Sequence, residues 1–486
     1  MRALAAPFVI ALAAVAQATA VGDNDLWWLL KTGEYMVATR MFPTSDPFTW
    51  TAQGLPWINH TWGFELVLYG VYAALGLAGL AILQVLFALA TFGVMYRTLR
   101  RDAVPAAWAL ALIGLAAVIT KGFWAPRPQV VTYLCLAILW AILWDYREGR
   151  RDHLTWLPVL MVLWANLHGG FFLGLAVIAV VLVGQVVDRL FDVSGDAVGG
   201  PRLGRLAAVG VACLAAALVN PFHVRALTFP VQVSLDATAK DFIIEWFSPA
   251  FQHPELRPFE GLFLFLLAVQ PAARRLPRLA DVALLVAFIH ITLDATRNIP
   301  PFVIVLTPVA GRLGVEAWAR LRGVLGVGSA IPRARAAALL ALALLVGLVW
   351  FRDLGPRLPG MVWPGWGVAQ GFPVGAADFL AAHPPLQGAM FNDYGWGGYL
   401  TWRLFPRYRV FIDGRIAIFP ADVREDYVAV NNVEPGWQEA LDRRGIDLVL
   451  VRTGTALSAV LREAGWTVAY QDPQAVIFQR RPAART

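Results

Sequence analysis

The sequence predicts a polytopic α-helical membrane protein with a small α/β domain at its C-terminal end. Three observations carry that prediction. Of the 486 residues, 58% are hydrophobic and 15% charged, against about 25% charged in a soluble domain. The apolar residues are blocked into runs approaching the length of an upright spanning helix, about 20 residues. The excess stops near residue 350, and 351–486 has nearly ordinary soluble composition. The same figures exclude a disordered chain, which needs low hydrophobicity and high net charge. The 20 Trp and 28 Phe suit lipid and its interfaces.

The first run, 3–21, follows Arg2 and ends at Gly22-Asp23-Asn24-Asp25. Ala18-Thr19-Ala20 resembles a signal-peptidase site, and the run is short enough for a signal h-region. The reading taken is a retained first helix, which puts the N-terminus in the cytoplasm. Ten further runs lie near 78–96, 105–120, 129–144, 154–168, 171–188, 204–220, 258–272, 279–293, 299–313 and 336–350. Together they make about 11 transmembrane helices.

Loop charge decides that count. The arginine clusters at 97–101, 147–151, 202–205, 274–278 and 312–335 then all fall on the cytoplasmic side, as the positive-inside rule asks. Reading 154–188 as one crossing moves the later clusters across. The net charge of +7 therefore reports membrane orientation and not nucleic acid. Cys135 and Cys213 both sit inside apolar runs, which argues against a disulfide framework or a cysteine-based metal site.

The opposite face receives loop 22–77, the short loops 121–128 and 294–298, loop 221–257 and the turn His168-Gly169-Gly170. Loop 22–77 mixes aromatic, Gly and Pro residues and reads as interfacial helices near 25–39 and 57–72. Residues 1–350, this loop included, form the predicted transmembrane domain, and 351–486 an extracytoplasmic one. Short strand patterns at 409–412, 448–451, 466–470 and 475–478 alternate there with helical stretches near 375–382, 436–443 and 456–464, which is an α/β pattern.

Four constellations carry chemistry. Asp23 and Asp25 open the first loop. Two such carboxylates can share a divalent cation (Mg or Mn), supply a general base for an acceptor hydroxyl, or cap the helix that follows. Lys121, Arg127, His168 and Arg297, with Glu245, lie on the same face or at membrane depth there. Ionisable groups at that depth are costly and point to function, and these cations suit a lipid phosphate or diphosphate. Snorkelling at the interface is the other reading, strongest for Lys121. His60 and Glu65 form a third group beside Trp62, a proton-handling or acceptor-binding pair or interfacial packing. Asn59-His60-Thr61 also matches a glycosylation sequon.

The fourth group is Asp393, Tyr394 and Trp396 in a glycine-rich stretch, followed by Ile412-Asp413-Gly414-Arg415. It suits a polar acceptor such as a sugar or peptide, or it is a junction whose glycines only satisfy backbone angles. No GxxxxGK[ST], HExxH or GxSxG is present, which argues against an ATP-driven pump or a common hydrolase.

The layout of one span, an acidic first loop, many spans and a terminal α/β domain resembles the GT-C fold glycosyltransferases. That superfamily includes oligosaccharyltransferase catalytic subunits and protein O-mannosyltransferases. The chain is more closely similar to a bacterial group of uncharacterised multi-pass proteins, whose pattern is matched by Asp23, Asp25, Trp27, Trp28, Gly33, Asp46-Pro47-Phe48 and Pro56-Trp57. The resemblance implies a catalytic or metal-binding first-loop carboxylate at Asp25, with Asp23 second. Asp393-Tyr394-Gly395 is similar to part of the oligosaccharyltransferase acceptor motif, with Phe391 and Asn392 where that motif has two tryptophans. Loop 121–128 lacks the acidic pair those enzymes use for metal.

The expectation is an integral glycosyltransferase of a bacterial inner membrane, using a polyprenyl-(di)phosphate-linked sugar on the extracytoplasmic face. Its partners would be membrane lipids, that donor, a protein, lipid or glycan acceptor, and further protein subunits. The second reading is a non-enzymatic scaffold or assembly subunit that keeps the fold. A transporter has less support, since no inverted repeat or mid-membrane carboxylate pair appears.

Overall fold

A computed structural model describes residues 2–18, 22–191, 199–236, 242–269, 278–324 and 371–480. The predicted crossing at 336–350, the signal-like tripeptide beyond Ala18, and Arg274, Arg275, Arg333 and Arg335 lie outside those residues. In chain order the helices are α1 Arg2–Val15, α2 Asn24–Thr39, α3 Trp62–Arg101, α4 Ala106–Ile119, α5 Gln129–Arg147, α6 Trp156–Leu167, α7 Phe171–Phe191, α8 Gly200–Ala216 and α9 Val224–Leu235. They continue with α10 Arg257–Val269, α11 Leu279–Asp294, α12 Ile299–Val324, α13 Val374–Ala382, α14 Gly397–Leu404, α15 Ala421–Asn432, α16 Trp437–Arg443 and α17 Ala456–Glu463. The strands are β1 Ala389–Asn392, β2 Ile446–Arg452, β3 Thr467–Gln471 and β4 Ala475–Gln479.

The chain folds as two compact units, one within 1–19, 81–230 and 243–364, the other within 20–80, 231–242 and 365–486. The composition boundary at 350 is thus not the contact boundary, for the first loop groups with the C-terminal segment. Ten of the predicted apolar runs coincide with helices. Among the described residues, four helices are long and apolar enough to cross a membrane: Trp62–Arg101, Gln129–Arg147, Phe171–Phe191 and Thr296–Gly323. Others, such as Ala106–Ile119 and Trp156–Leu167, are apolar but shorter.

In the first unit, the stretch 154–188 is two helices. His168 leaves the helical region (φ −162°, ψ 140°) and ends α6. The arginine clusters gather at the far end of α5 through ion pairs: Arg101 with Asp145, Arg150 and Arg312 with Asp102, Arg147 with Asp281, and Arg278 and Arg312 with Glu148. Residues from the ends of three helices, α3, α5 and α11, meet there with Arg312 of α12. Alternating connections between short loops explain it, because loops two crossings apart return to the same end. At 1.5 Å per residue, the 19-residue α5 sets this network about 28 Å from the turn that holds Arg127.

The second unit holds a mixed four-stranded sheet in the order β1-β2-β4-β3. β1 runs parallel to β2, while β2–β4 and β3–β4 are antiparallel. A parallel pair needs a crossover, and 397–443, with α14 to α16, supplies it. The predicted strand at 409–412 is instead an irregular segment, tied by an isolated bridge from Val410 to Thr49 and by Asn392 Oδ1, which accepts from the Phe411 amide at 2.7 Å. Its apolar residues Val410, Phe411 and Ile412 are buried without ladder partners.

Two helices lie where the sequence places them in the first loop. α2 buries Leu26, Trp27, Leu29, Leu30 and Met36 and packs on α14. Trp27 meets Tyr399 and Phe372 edge to face, with ring centroids 5.1 and 5.6 Å apart. Trp27 is thus covered by protein side chains. The second predicted surface helix begins at Trp62 and continues into the predicted crossing at 78–96, with a kink at Gly76 (φ 63°).

Candidate functional site

In the second unit, Asp23 caps α2, its side chain accepting from the Asp25 amide at 2.9 Å. The capping expectation therefore holds for Asp23. Asp25 is half-buried in the first turn and accepts from Trp28 Nε1 at 3.1 Å. Two glycines bring the C-terminal segment against it. A Cβ on Gly414 would lie 2.0 Å from Asp25 Oδ1, and one on Gly398 would lie 2.7 Å from the Asn24 carbonyl oxygen. Only glycine permits that approach.

Tyr394 stands in the same cluster. Burial and the carboxylates of Asp25 and Asp413 push its phenol well above the usual tyrosine value, so at neutral pH it is a hydrogen-bond donor. Asp393 caps the turn at Gly395 (3.0 Å) and pairs with Arg452 (2.8 Å), whose guanidinium covers the Trp396 ring at 4.8 Å. Trp396 itself is buried and donates to the Gly371 carbonyl at 2.6 Å. Of the three expected acceptor residues here, Tyr394 packs its ring against Phe242 and Tyr427 within the field of Asp25, while Trp396 packs inward.

His60 is half-buried, its Nδ1 3.3 Å from the Ile58 carbonyl oxygen. Glu65 is 0% exposed and accepts from Asn59 Nδ2 (2.7 Å) and Thr61 Oγ1 (2.8 Å). That carboxylate is turned into the protein, where it satisfies two polar neighbours at the start of α3. Asn59 is buried in the same knot, so the sequon is not presented at the surface.

Sequence reasoning missed a buried ion cluster beside Asp25. Arg415, 5% exposed, pairs with Asp413 (2.5 Å) and Asp46 (2.7 Å), which are 0% and 1% exposed. Burial works against the cation, but the two carboxylates hold the guanidinium pKa above its ordinary value. Its ring neighbours are Trp57 at 4.6 Å, Phe48 at 5.1 Å and Trp28 at 5.9 Å. The available signal was a pair of charged motifs, Asp46-Pro47-Phe48 and Asp413-Gly414-Arg415, each flanked by aromatic or apolar residues.

In the first unit, the cations divide. Arg127 forms an ion pair with Glu245, and Arg297 lies 4.8 Å over the ring of the adjacent Trp246. Thr296 ties the two segments, its amide donating to the Phe247 carbonyl and its hydroxyl to that of Glu245, both at 3.0 Å. One short turn, Ile244–Trp246, thus gathers both arginines. His168 Nδ1 is 2.6 Å from Thr132 Oγ1 and accepts from the Gly170 amide at 3.2 Å. An amide can only donate, so the proton of the neutral ring sits on Nε2. Lys121 instead donates to the Ala16 carbonyl, and burial lowers its pKa. That bond meets a carbonyl just past the end of α1.

For the expected divalent cation, the sequence offered Asp23 and Asp25. Among the described residues, no group of three or more His, Cys, Asp or Glu forms a metal-binding cluster. Asp23 Oδ1 is engaged as the helix cap. The residues described do not make a metal cage, and no step below passes through one.

No family model matches the chain, and no curated protein matches it by sequence. Solved structures do. The archaeal oligosaccharyltransferase AglB from Archaeoglobus fulgidus, in complex with an inhibitory peptide and a dolichol-phosphate, superposes with a TM-score of 0.65 at 13% identity. That match covers 92% of this chain and 69% of that one. ArnT from Cupriavidus metallidurans, bound to undecaprenyl phosphate, gives 0.52 at 18% identity, covering 99% of this chain and 98% of that one. The arabinofuranosyltransferase AftD from Mycobacteria gives 0.52 at 15%, covering 99% of this chain and 40% of that one. At these identities the likeness is one of fold. All three are GT-C fold glycosyltransferases, and this chain carries the GT-C fold of a membrane protein.

Proposed function

We propose that the protein is a membrane glycosyltransferase that takes a sugar from a polyprenyl-phosphate-linked donor. Asp25 accepts the proton of an acceptor hydroxyl, and the acceptor oxygen forms a bond to the anomeric carbon. The bond from that carbon to the phosphate oxygen breaks, and the polyprenyl phosphate departs with the electron pair. Within the first unit, Arg127, Arg297 and the Nε2–H of His168 are the groups this reading assigns to the charge of a lipid phosphate. Tyr394 donates to the acceptor and helps orient it.

The observation that carries this reading is the half-buried Asp25 carboxylate, gathered with Tyr394 and the Gly414 backbone in a chain of GT-C fold. The neighbours solved with dolichol-phosphate and undecaprenyl phosphate support the donor class. The two arginines gathered on one turn support a phosphate partner. Loop charge supports 11 crossings, a cytoplasmic N-terminus and an extracytoplasmic C-terminal segment, in a bacterial inner membrane.

Binding of undecaprenyl phosphate to the purified protein in nanodiscs, followed by native mass spectrometry, tests the donor. Saturable binding that weakens about tenfold or more in Arg297→Ala is expected, since a charge-assisted bond contributes about 1.5–3 kcal/mol. Absence of saturable binding overturns the reading and favours the scaffold.

A further inference from the structure

The segment that meets Asp25 is held from more sides than packing alone requires. Asn392 Nδ2 donates to the Ile412 carbonyl at 2.9 Å, and the Trp50 amide donates to that of Val410 at 3.2 Å. Behind Gly414 stands the Asp46–Arg415–Asp413 cluster. Arg415 Nε reaches both Asp413 oxygens, at 3.0 and 3.1 Å, and the Arg415 amide also donates to Asp413 Oδ1 at 3.0 Å. Asp46 is fixed in turn by the amides of Phe48 (3.1 Å) and Thr49 (3.0 Å) and by the Thr49 hydroxyl (2.5 Å).

Such a cluster is a poor way to gain stability. Removing charges from water is costly, and a well-packed apolar replacement is often as stable. What a fully bonded buried network does supply is a single backbone position. Here that position abuts one atom, Asp25 Oδ1, with 2.0 Å between it and the place a Cβ on Gly414 would occupy. The same oxygen takes the Trp28 N–H, and the Trp28 ring in turn lies beside Arg415. Two parts of the chain more than 350 residues apart, at Asp46 and at Asp413 to Arg415, thus converge on the setting of one carboxylate.

We infer that Gly414 and Trp28, fixed by the Asp46–Arg415–Asp413 clamp, are positioning residues that hold the Asp25 carboxylate in the orientation needed to take the acceptor proton. This rests on the proposed role of Asp25. Neither residue touches donor or acceptor; each acts through Asp25. Gly414 leaves the carboxylate its place, and Trp28 stabilises its charged form.

The test uses the full chain in nanodiscs with an undecaprenyl-phosphate-linked radiolabelled hexose as probe, measuring sugar transfer or release against donor concentration and pH. Gly414→Ala is expected to lower kcat about 100-fold, the effect of a misplacement near 1 Å, with the donor KM and the thermal midpoint unchanged. Trp28→Phe keeps the ring and removes the donor. It is expected to move the acid limb of the kcat profile to higher pH, since a hydrogen bond to the charged form is lost. Wild-type kcat in Gly414→Ala and an unmoved acid limb in Trp28→Phe overturn the positioning, even if Asp25→Asn abolishes turnover and the role of Asp25 stands. Full turnover by Asp25→Asn overturns the role of Asp25 and the positioning with it. Should Gly414→Ala fail to fold, the acid limb of Trp28→Phe decides alone.

Discussion

Replacing Arg415 with methionine probes the buried cluster through stability. Methionine keeps the length and most of the volume but removes the charge. Asp413 and Asp46, 0% and 1% exposed, then lose their cation. Breaking a buried pair by removing one partner costs about 3–5 kcal/mol. Asp46 keeps three other donors, whereas Asp413 keeps the residue 415 amide among its partners, so most of the cost falls on Asp413. For a domain of roughly 150–250 residues each kcal/mol lowers the midpoint by about 2–4 °C, so a fall of about 6–20 °C is expected by differential scanning fluorimetry of the purified protein. The triple variant Asp46→Asn, Asp413→Asn, Arg415→Met removes the stranded charges as well and should recover part of the loss, a non-additivity expected of groups in one network. A fall below about 2 °C, or a triple variant less stable than Arg415→Met, would refute the reasoning.

Two further outcomes follow from particular bonds. Thr132→Val removes the hydroxyl that accepts from the buried Trp164 Nε1 and lies against His168 Nδ1. It should cost about 1–3 kcal/mol for the stranded donor, and weaken undecaprenyl phosphate binding in the nanodisc assay. Asp472 is held below the ordinary carboxylate value: burial opposes this, but the Ala475 and Gln474 amides and the Tyr470 hydroxyl outweigh it. A depressed folded pKa contributes stability that is complete above the unfolded value of about 4 and is lost as pH falls through the folded one. The midpoints of wild type and Asp472→Ala should therefore differ at pH 7 and converge below about pH 4, and a gap independent of pH would contradict the assignment.

Much of the fold was legible because apolar periodicity reports burial directly. The break at His168 followed from loop charge, since only two crossings kept the later arginines on one side, and the ion pairs Arg101–Asp145 and Arg312–Asp102 bring those arginines together. β1 was not legible. Ala389–Asn392 is four residues long and carries no alternation, and its strand state depends on a parallel partner 57 residues away in the chain. The strand pattern at 409–412 misled for the converse reason, because its apolar residues are buried by the first loop rather than by a ladder.

The candidate residues of the site were legible in the sequence, and the groups packed around them were not. Asp25 and Tyr394 stood out by residue type and setting. Glu65 looked equally available, but its oxygens are taken by Asn59 and Thr61, and local sequence does not say which way a carboxylate turns. Asp46 and Arg415 are separated by 369 positions, and no pattern along one chain states that two such charges pair.

The central claim is that Asp25 removes the acceptor proton in transfer from a polyprenyl-phosphate-linked sugar. The direct measurement is turnover of undecaprenyl-phosphate-linked radiolabelled sugars by the wild type and by Asp25→Asn, in nanodiscs. The account predicts turnover by the wild type and a loss of about 100-fold to 10,000-fold in the variant, the usual contribution of a positioned base. Equal turnover by the two proteins would contradict it.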